Sequence, residues 1–295
     1  FRGPSRFRDA AETWRSIAAA ATIDDAIKAP GSGLVCFGTF TFSDDSPQES
    51  VLIVPQVVIG RHGTTSWRTN ISLPDQHLQR EHSPSSHPAS FAPLEWKPGL
   101  LSESDYVGEV AKLVARLQEG EANKVVLARD LIAHAPGIRD WRAALQRLVE
   151  SYPDCATFAI DGLVGSTPET LARVEGGRLS IRVLAGSAAR GDNPADDRQQ
   201  AQNLVTSSKD NDEHRFAVGS VVNSLNGVSS HVVADEHPFT LKLANVWHLA
   251  TDIEATLPAQ VSSLDVVAAI HPSAAVAGSP TDTALAMISQ SEPFD

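Results

Sequence analysis

Short runs of β-branched and aromatic residues, each closed by a polar or glycine-containing turn, constrain the fold of this chain most. Residues 35–42 form such a run, and residues 51–59 continue it after a polar turn, which predicts an antiparallel hairpin. The longest predicted helix extends from Pro194 through Asn226 on an apolar stripe. Because no segment recurs at a period of roughly 20–50 residues, solenoids and propellers are excluded. Similar runs predict further strands at 124–129, 156–160, 179–184 and 241–253.

The composition is that of a folded protein with a substantial core. Of the 295 residues, 42% are hydrophobic and 20% are charged, which excludes a disordered polar tail and a disulfide-stapled miniprotein. The two cysteines, Cys36 and Cys155, stand far apart without a CxxC spacing. This usage favours a reducing compartment and argues against a metal–thiolate site, so we expect a cytoplasmic protein.

An excess of acidic side chains limits the partners that the chain can bind. Asp and Glu number 36 against 24 Lys and Arg, for a net charge of -12 at pH 7, so a bare polyanion would be repelled. We therefore expect no nucleic-acid partner. No run reaches the roughly 18 consecutive apolar residues of a membrane span, and we expect no membrane partner either.

One segment differs from the rest in composition. Residues 75–98 are rich in His, Ser, Pro and Gln, and such a stretch buries too little apolar surface to order itself strongly. Its histidines, His77, His82 and His87, are conceivable metal ligands, but no helix or strand presents them together. We interpret the segment as a linker or surface loop with solvated histidines.

Lys124 is the first candidate for chemistry, because an amine opens the β-branched run 124–129. If the side chain points inward, burial penalises its charged form and lowers its pKa, which makes a lysine a base near neutral pH. The competing interpretation is a flanking lysine whose ammonium reaches water.

Glu169 follows a proline in the turn Gly165–Glu169, between two apolar strands. A carboxyl group in a partly dry pocket stays protonated and can donate a proton. The alternative is local, since Ser166 and Glu169 also have the spacing of a helix capping box.

Asp210 and Glu213 are i, i+3 neighbours on the predicted long helix. Two carboxylates on one face can converge on a hard divalent cation, which prefers oxygen ligands. An ordinary surface pair between Lys209 and Glu213, at i, i+4, explains the same residues without a metal.

Two turns of small residues, 184–188 and 276–280, let a ligand approach the backbone, and the second also leads into a helix N-terminus. We predict that this last helix starts with Ser279 as its N-cap and Pro280 at its first position. His248 lies inside an apolar strand, where a histidine is either a hydrogen-bonded core residue or a catalytic group.

The order and spacing of these motifs resemble those of the chorismate-binding enzymes, and within that family they are most similar to isochorismate synthases. The resemblance is strong over residues 100–295 and general over residues 1–99. The motifs that carry it are Lys124-Val-Val-Leu-Ala-Arg129, Gly165-Ser-Thr-Pro-Glu169, Leu184-Ala-Gly-Ser187, Ser208-Lys-Asp-x-x-Glu-His214, Trp247-His-Leu-Ala-Thr251, His271-Pro-Ser-Ala-Ala-Val-Ala-Gly-Ser-Pro280 and Glu292-Pro-Phe-Asp295.

The resemblance implies an α+β fold, with large antiparallel sheets flanked by helices in a single domain over 1–295. It also implies an isomerase that serves menaquinone or siderophore biosynthesis. Lys124 would be the base that activates water for attack at C2 of chorismate, and Glu169 the acid that protonates the departing C4 hydroxyl. Glu213, with Asp210 near it, would hold Mg²⁺ at the C1 carboxylate. The implied substrate-binding residues are Ala185, Gly186, His248, Ala275, Val276 and Gly278. We expect a monomer.

Two alternatives to isochorismate synthase stay open, and a third, amination of chorismate, is disfavoured. Ammonia-using relatives such as anthranilate synthase tend to carry glutamine in place of Lys124, which argues against amination. Salicylate synthases keep the lysine and also eliminate pyruvate; some have threonine in place of Ala275. Relatives also continue past Asp295 with another Mg²⁺-binding glutamate, an arginine for the substrate carboxylate and a glycine-rich turn. We therefore expect the chain as it stands to bind Mg²⁺ poorly and to leave a sheet edge uncovered. It is either a fragment or a truncated non-catalytic paralogue that binds a partner through that edge.

Overall fold

The computed structural model describes residues 1–74, 94–135 and 140–294. The predicted loop histidines His77, His82 and His87 lie outside the described residues. The chain divides into two compact units, Phe1–Ala89 with Phe158–Val164, and Ser90–Thr157 with Gly165–Asp295. The expectation of a single domain stays a prediction.

Over residues 1–74, the described part of its longer segment, the first unit contains one helix and two short hairpins. Its described elements are α1 (Arg6–Ala20), β1 (Phe37–Thr39), β2 (Val51–Ile53), β3 (Val57–His62) and β4 (Thr65–Asn70). Strands β1 and β2 pair antiparallel, as do β3 and β4, so the hairpin predicted between residues 35–42 and 51–59 is confirmed in its β1–β2 part. Arg6, only 2% exposed, anchors the start of α1 because its guanidinium donates to the carbonyls of Thr41 and Phe42.

The later elements include most of the helices and one large sheet. Strands β8 and β9 form a hairpin across which the division into units falls. The elements are β5 (Glu95–Pro98), α2 (Glu103–Gln118), β6 (Lys124–Val125), β7 (Leu131–His134), α3 (Arg142–Ser151), β8 (Ala156–Ile160), β9 (Leu163–Thr167), β10 (Thr170–Glu175), β11 (Arg178–Ala189), α4 (Pro194–Thr206), α5 (Ser208–Leu225), β12 (Val232–Ala234), β13 (Phe239–Lys242), β14 (Val246–Thr256), α6 (Ser263–Ile270), β15 (Gly278–Ser279) and α7 (Thr281–Ser291).

A five-stranded antiparallel sheet forms the centre of the second unit. Its strand order is β10–β11–β14–β12, and β13 pairs with another part of β14. Helices α5 and α6 contribute apolar residues to the core that also buries one face of this sheet. The predicted α+β class, with antiparallel sheet flanked by helices, is confirmed. The buried core residues are Leu179, Ile181, Val183, Ala185, Ala217, Val221, Leu225, Ile253, Ala255, Leu257, Val266 and Ile270.

Three element predictions were wrong in detail. The helix predicted over 194–226 is two helices, because Ser207 is extended and its hydroxyl caps α5 by accepting from the Asp210 amide. The strand predicted over 241–253 is β13 and β14, separated by residues 243–245. Ser279, which has the spacing of a helix N-cap, lies instead in β15, and α7 begins at Thr281.

The described helices of residues 1–74, 94–135 and 140–294 also include none that is long and apolar enough to cross a membrane.

Candidate active site

Lys124 is held by a short two-stranded ladder, here called the lysine ladder, made of β6 and β15. Lys124 pairs with Ser279 and Val125 pairs with Gly278. Flanking backbone bonds extend it, since the Val126 amide donates to the Ala277 carbonyl at 2.8 Å. The strand predicted over 124–129 is therefore regular only over Lys124–Val125, and these bonds fix the backbone from which the amine projects.

The Lys124 amine lies inside the protein rather than in water. Its side chain is 11% exposed, and Nζ lies 3.4 Å from Oε1 of Glu213. Among the described residues, this buried Nζ has no hydrogen-bond partner. Burial lowers the pKa of Lys124, while the charges of Glu213 and Glu169 oppose that shift. The interpretation of a lysine that reaches water is wrong, and a base at this position is chemically possible.

Glu169 lies between β9 and β10. Because a strand and not a helix begins directly after it, the capping-box interpretation is wrong. The Glu169 amide donates to Oγ1 of Thr167 at 3.1 Å, and the Leu184 amide donates to its Oε1 at 3.3 Å. Burial raises the pKa of Glu169, opposed by that backbone bond and by the charge of Lys124. The carboxyl group is therefore biased toward the protonated form, and it interacts electrostatically with Lys124.

The two acidic candidates lie on the first turns of α5, where the structure gives them different partners from those expected. Glu213 contacts Lys124 rather than forming the i, i+4 pair with Lys209, whose Nζ lies 3.6 Å from Oδ1 of Asp210. The Asp210 side chain is 18% exposed and that of Glu213 33%. The tertiary contact to a buried amine thus replaces the predicted surface pair.

A β-bulge in β11, here called the bulge, brings the backbone of Ala185 and Gly186 against α5. The register with β14 shifts between Ala185 and Ser187, so that Gly186 is the extra residue. Gly186 has φ of +78°, and a Cβ there would lie 3.1 Å from Cβ of Asp210. The positive φ therefore favours glycine, and a Cβ would fit only if Asp210 shifted slightly. The bulge thus packs on the helix turn that carries Asp210.

His248 lies across from the bulge on β14, paired with Ser187. Its Nδ1 lies 2.8 Å from Oγ of Ser187. Burial lowers the pKa of His248, while a hydrogen bond to the Gly186 backbone opposes the shift. The histidine is half-buried and hydrogen-bonded, which places it beside the predicted substrate-binding backbone.

The turn that precedes α7 is divided between the site and the core. Gly278 pairs with Val125, and a Cβ there would lie 2.1 Å from the Lys124 carbonyl oxygen. Ala275 packs against the apolar core, and Val276 is 47% exposed. The structure therefore joins Gly278 directly to the lysine ladder, whereas the substrate-binding roles of Ala275 and Val276 stay predictions.

A groove of about 720 Å³ opens beside the lysine ladder. Apolar residues of α2 form one side of it, and Lys124, Glu213 and Phe216 are among its other lining residues. Glu169 is not among the described residues that line it. The prediction that Lys124 and Glu169 face opposite sides of one substrate therefore stays a prediction.

His214 is the residue that the sequence motifs contained but to which no role was assigned. It is 3% exposed, with Nδ1 3.1 Å from the Ala185 carbonyl oxygen and Nε2 2.8 Å from Oγ1 of Thr251. It continues the buried stripe of α5 formed by Ala217, Val221 and Leu225. A polar residue in register with such a stripe was the signal that could have identified it.

The two carboxylates of Glu213 and Asp210 are ligands of the type that Mg²⁺ prefers. Glu213 and Asp210 supply carboxylate oxygens that are partly exposed to solvent. Within residues 1–74, 94–135 and 140–294, no group of three or more His, Cys, Asp or Glu side chains could hold a metal. Because Mg²⁺ commonly binds through one or two carboxylates, with waters and substrate oxygens completing its shell, these residues fit that ion.

Comparisons with known proteins agree on one family. Isochorismate synthase DhbC of Bacillus subtilis is 32% identical over 203 residues, which are 65% of this chain and 51% of the relative. The salicylate biosynthesis isochorismate synthase of Pseudomonas aeruginosa is 27% identical over 99% of this chain and 66% of its own length. This chain thus spans about half the length of curated relatives such as the Bacillus protein.

A solved structure supports the fold over almost the whole chain. The crystal structure of DhbC from Bacillus anthracis matches with a TM-score of 0.73 and 25% identity, over 99% of this chain and 72% of that one. The sequence model of one protein family, described as chorismate binding enzyme, matches residues 1–295. The chain therefore belongs to the chorismate-binding enzyme family.

Proposed function

We propose that this chain carries the catalytic residues of an isochorismate synthase, an isomerase that converts chorismate into isochorismate. The observation that carries the proposal is the buried amine of Lys124, which has an ion-pair contact with Glu213 but no hydrogen-bond partner among the described residues. Its charge also acts on the half-buried carboxyl group of Glu169. Burial moves the pKa of the amine downward and that of the carboxyl group upward. A base and an acid are thereby favoured in one site at the same pH.

The reaction needs both groups. Lys124 accepts a proton from the water that attacks C2, the ring double bonds shift, and the C–O bond at C4 breaks. Glu169 donates a proton to the departing C4 oxygen, which leaves as water, so that one water is added and one is released. Gly186 in the bulge and His248 across from it on β14 would contact bound substrate.

The substrate is a dicarboxylate, and the chain has a net charge of -12. Glu213 and Asp210 are the residues that would hold Mg²⁺. When bound, the ion would supply positive charge for a substrate carboxylate. Among the described residues that line the groove, Lys124 in its ammonium form and Lys209 also favour an anion.

The direct test is to assay the full-length protein with chorismate and Mg²⁺, and to separate the products by chromatography. We expect isochorismate from the unaltered protein. Lys124→Ala and Glu169→Gln should each lower turnover by about 10²-fold or more, because each removes a group that transfers a proton. Circular dichroism checks that both variants are folded.

Matched controls come from exposed residues of the same charge. Lys112→Ala on α2 and Glu175→Gln on β10 alter ion pairs at the surface, and both should keep the rate of the unaltered protein. A near-normal rate in either site variant would refute the assigned roles. Salicylate with pyruvate as products would show the salicylate synthase alternative, and no turnover by the unaltered protein would favour the non-catalytic one.

A further inference from the structure

A buried histidine connects helix α5 to the bulge. His214 directly follows Glu213 in the sequence, but the two side chains have different partners. Glu213 contacts Lys124, whereas His214 contacts Ala185 on β11 and Thr251 on β14. Both ring nitrogens are within hydrogen-bond distance of these partners, at 3.1 Å and 2.8 Å. One imidazole thus links three elements of the second unit.

The partners fix the direction of the hydrogen bonds. A carbonyl oxygen only accepts, so Nδ1 of His214 must carry the proton and donate to Ala185. In the neutral ring, Nε2 then carries no proton and accepts a hydrogen bond from the Thr251 hydroxyl. The chain of donation runs from Thr251 through His214 to Ala185, and Thr251 is itself only 2% exposed.

The accepting carbonyl belongs to the peptide group that joins Ala185 to Gly186, which lies at the bulge. Because a peptide group is planar, holding its carbonyl oxygen also sets the direction of the Gly186 amide. Gly186 in turn packs on Asp210, and its backbone contacts the His248 ring. A bulge lacks the regular pairing of a ladder, so it needs another contact to fix its orientation.

We propose that His214 is a positioning residue that holds the Ala185–Gly186 peptide group against α5, so that the bulge and the carboxylate of Glu213 keep one fixed separation. The inference rests on the function proposed above, since substrate would bind between these two parts. His214 itself touches neither substrate nor the reacting atoms.

The test uses three variants of the full-length protein. His214→Phe keeps a ring of similar size and removes both hydrogen bonds, whereas His214→Asn keeps an N–H donor near the position of Nδ1. Thr251→Val removes only the donor to Nε2. The measurements are amide hydrogen exchange of the peptide that covers residues 184–187, and kcat and KM for chorismate.

We expect His214→Phe to exchange the bulge amides at least about tenfold faster and to lower kcat by about 10–100-fold, as loss of a supporting hydrogen bond does in other sites. His214→Asn should recover most of both effects. Thr251→Val should also speed the exchange of the bulge amides and lower kcat, but by less than His214→Phe does. Leu225→Ala, at the far end of α5 and fully buried, controls for lost stability and should leave bulge exchange and kcat nearly unchanged at temperatures where it is folded.

The proposal is overturned if bulge exchange in His214→Phe equals that of the unaltered protein, or if His214→Asn behaves as His214→Phe does. It is also overturned if the faster exchange spreads evenly over the sheet, because that result would mean a structural role alone. Failure of the proposed function is a separate result: the unaltered protein would not convert chorismate, while hydrogen exchange would still test the position of the bulge.

Discussion

The bulge and the lysine ladder both contact α5, but they treat buried polar groups in opposite ways. At the bulge, both nitrogens of His214 have hydrogen-bond partners and the neighbouring apolar core is closed. At the lysine ladder, the Lys124 ammonium is buried with one ion-pair contact at 3.4 Å and no hydrogen-bond partner among the described residues. The first region gains stability from its polar groups, and the second loses some.

The difference agrees with the roles proposed for the two regions. A hydrogen-bonded imidazole is fixed in position and protonation, which suits a residue that orients backbone. A desolvated amine that donates no hydrogen bond is not fixed in one protonation state. Groups with perturbed pKa values of this kind cluster at functional sites. The contrast therefore supports both proposals, a positioning role for the bulge and a proton-transfer role for Lys124.

The largest effect is expected from closing the space inside the lysine ladder. In Gly278→Ala, the new Cβ would lie 2.1 Å from the Lys124 carbonyl oxygen and 2.7 Å from Cβ of Ala284, at a φ of +149°. Because the backbone cannot relax without breaking the β6–β15 pairing, we expect a loss of about 3 kcal/mol in the free energy of unfolding. Denaturant unfolding measures it.

Gly108→Ala is the matched control for that substitution. Gly108 lies in α2 with open space around its would-be Cβ, so alanine should stabilise the protein by about 1 kcal/mol through helix propensity. If Gly278→Ala proved as stable as the unaltered protein, the ladder would be looser than described, and Lys124 would not be held in place by it.

Much of the fold and part of the site could be predicted from the sequence. The α+β class and the candidates Lys124, Glu169 and Glu213 followed from motifs, because residue type and order are local properties. The pairing of Lys124 with Glu213 did not, since sequence distance favoured Lys209 as the partner of Glu213. The buried amine of Lys124 attracts a carboxylate more strongly than the exposed amine of Lys209 does, because charges interact more strongly away from water. Burial is a property of the tertiary structure, so the sequence does not reveal it.

The bonds of His214 were unpredictable for a related reason. Its partners lie on β11 and β14, and the bulge that presents Ala185 arises only when those strands pair out of register. Ser279 shows the same limit: the spacing before α7 indicated a helix cap, but a long-range pairing with Lys124 makes it part of a strand. Only the break at Ser207 had a local signal, because its hydroxyl accepts from the amide three residues later.

A second pair of variants compares the two regions directly. Thr251→Val should lower the free energy of unfolding by about 1–2 kcal/mol, because it leaves Nε2 of His214 buried without a donor. Lys124→Met should leave it unchanged or raise it by about 1 kcal/mol, because it replaces a desolvated ammonium with an apolar chain of similar length. The carboxylate of Glu213, which loses its ion-pair partner, is 33% exposed and stays solvated. Thermal unfolding of both variants checks the sign of each change. Equal losses in the two variants would contradict the contrast between the regions.

The smallest expected effect is a change in the pH dependence of stability at Glu169. Burial raises its pKa in the folded protein above the ordinary value of 4.5, so the folded state binds this proton more tightly than the unfolded state does. Its contribution to stability is therefore complete below pH 4.5 and is lost as pH rises through the raised pKa. Glu169→Gln cannot lose that proton, so its stability relative to the unaltered protein should increase from pH 4 to pH 7, as denaturant unfolding at both pH values measures. If the stability difference between Glu169→Gln and the unaltered protein were the same at pH 4 and pH 7, the carboxyl group would not be desolvated. That result would remove the physical reason for a protonated Glu169, and with it the reason for its proposed role as an acid.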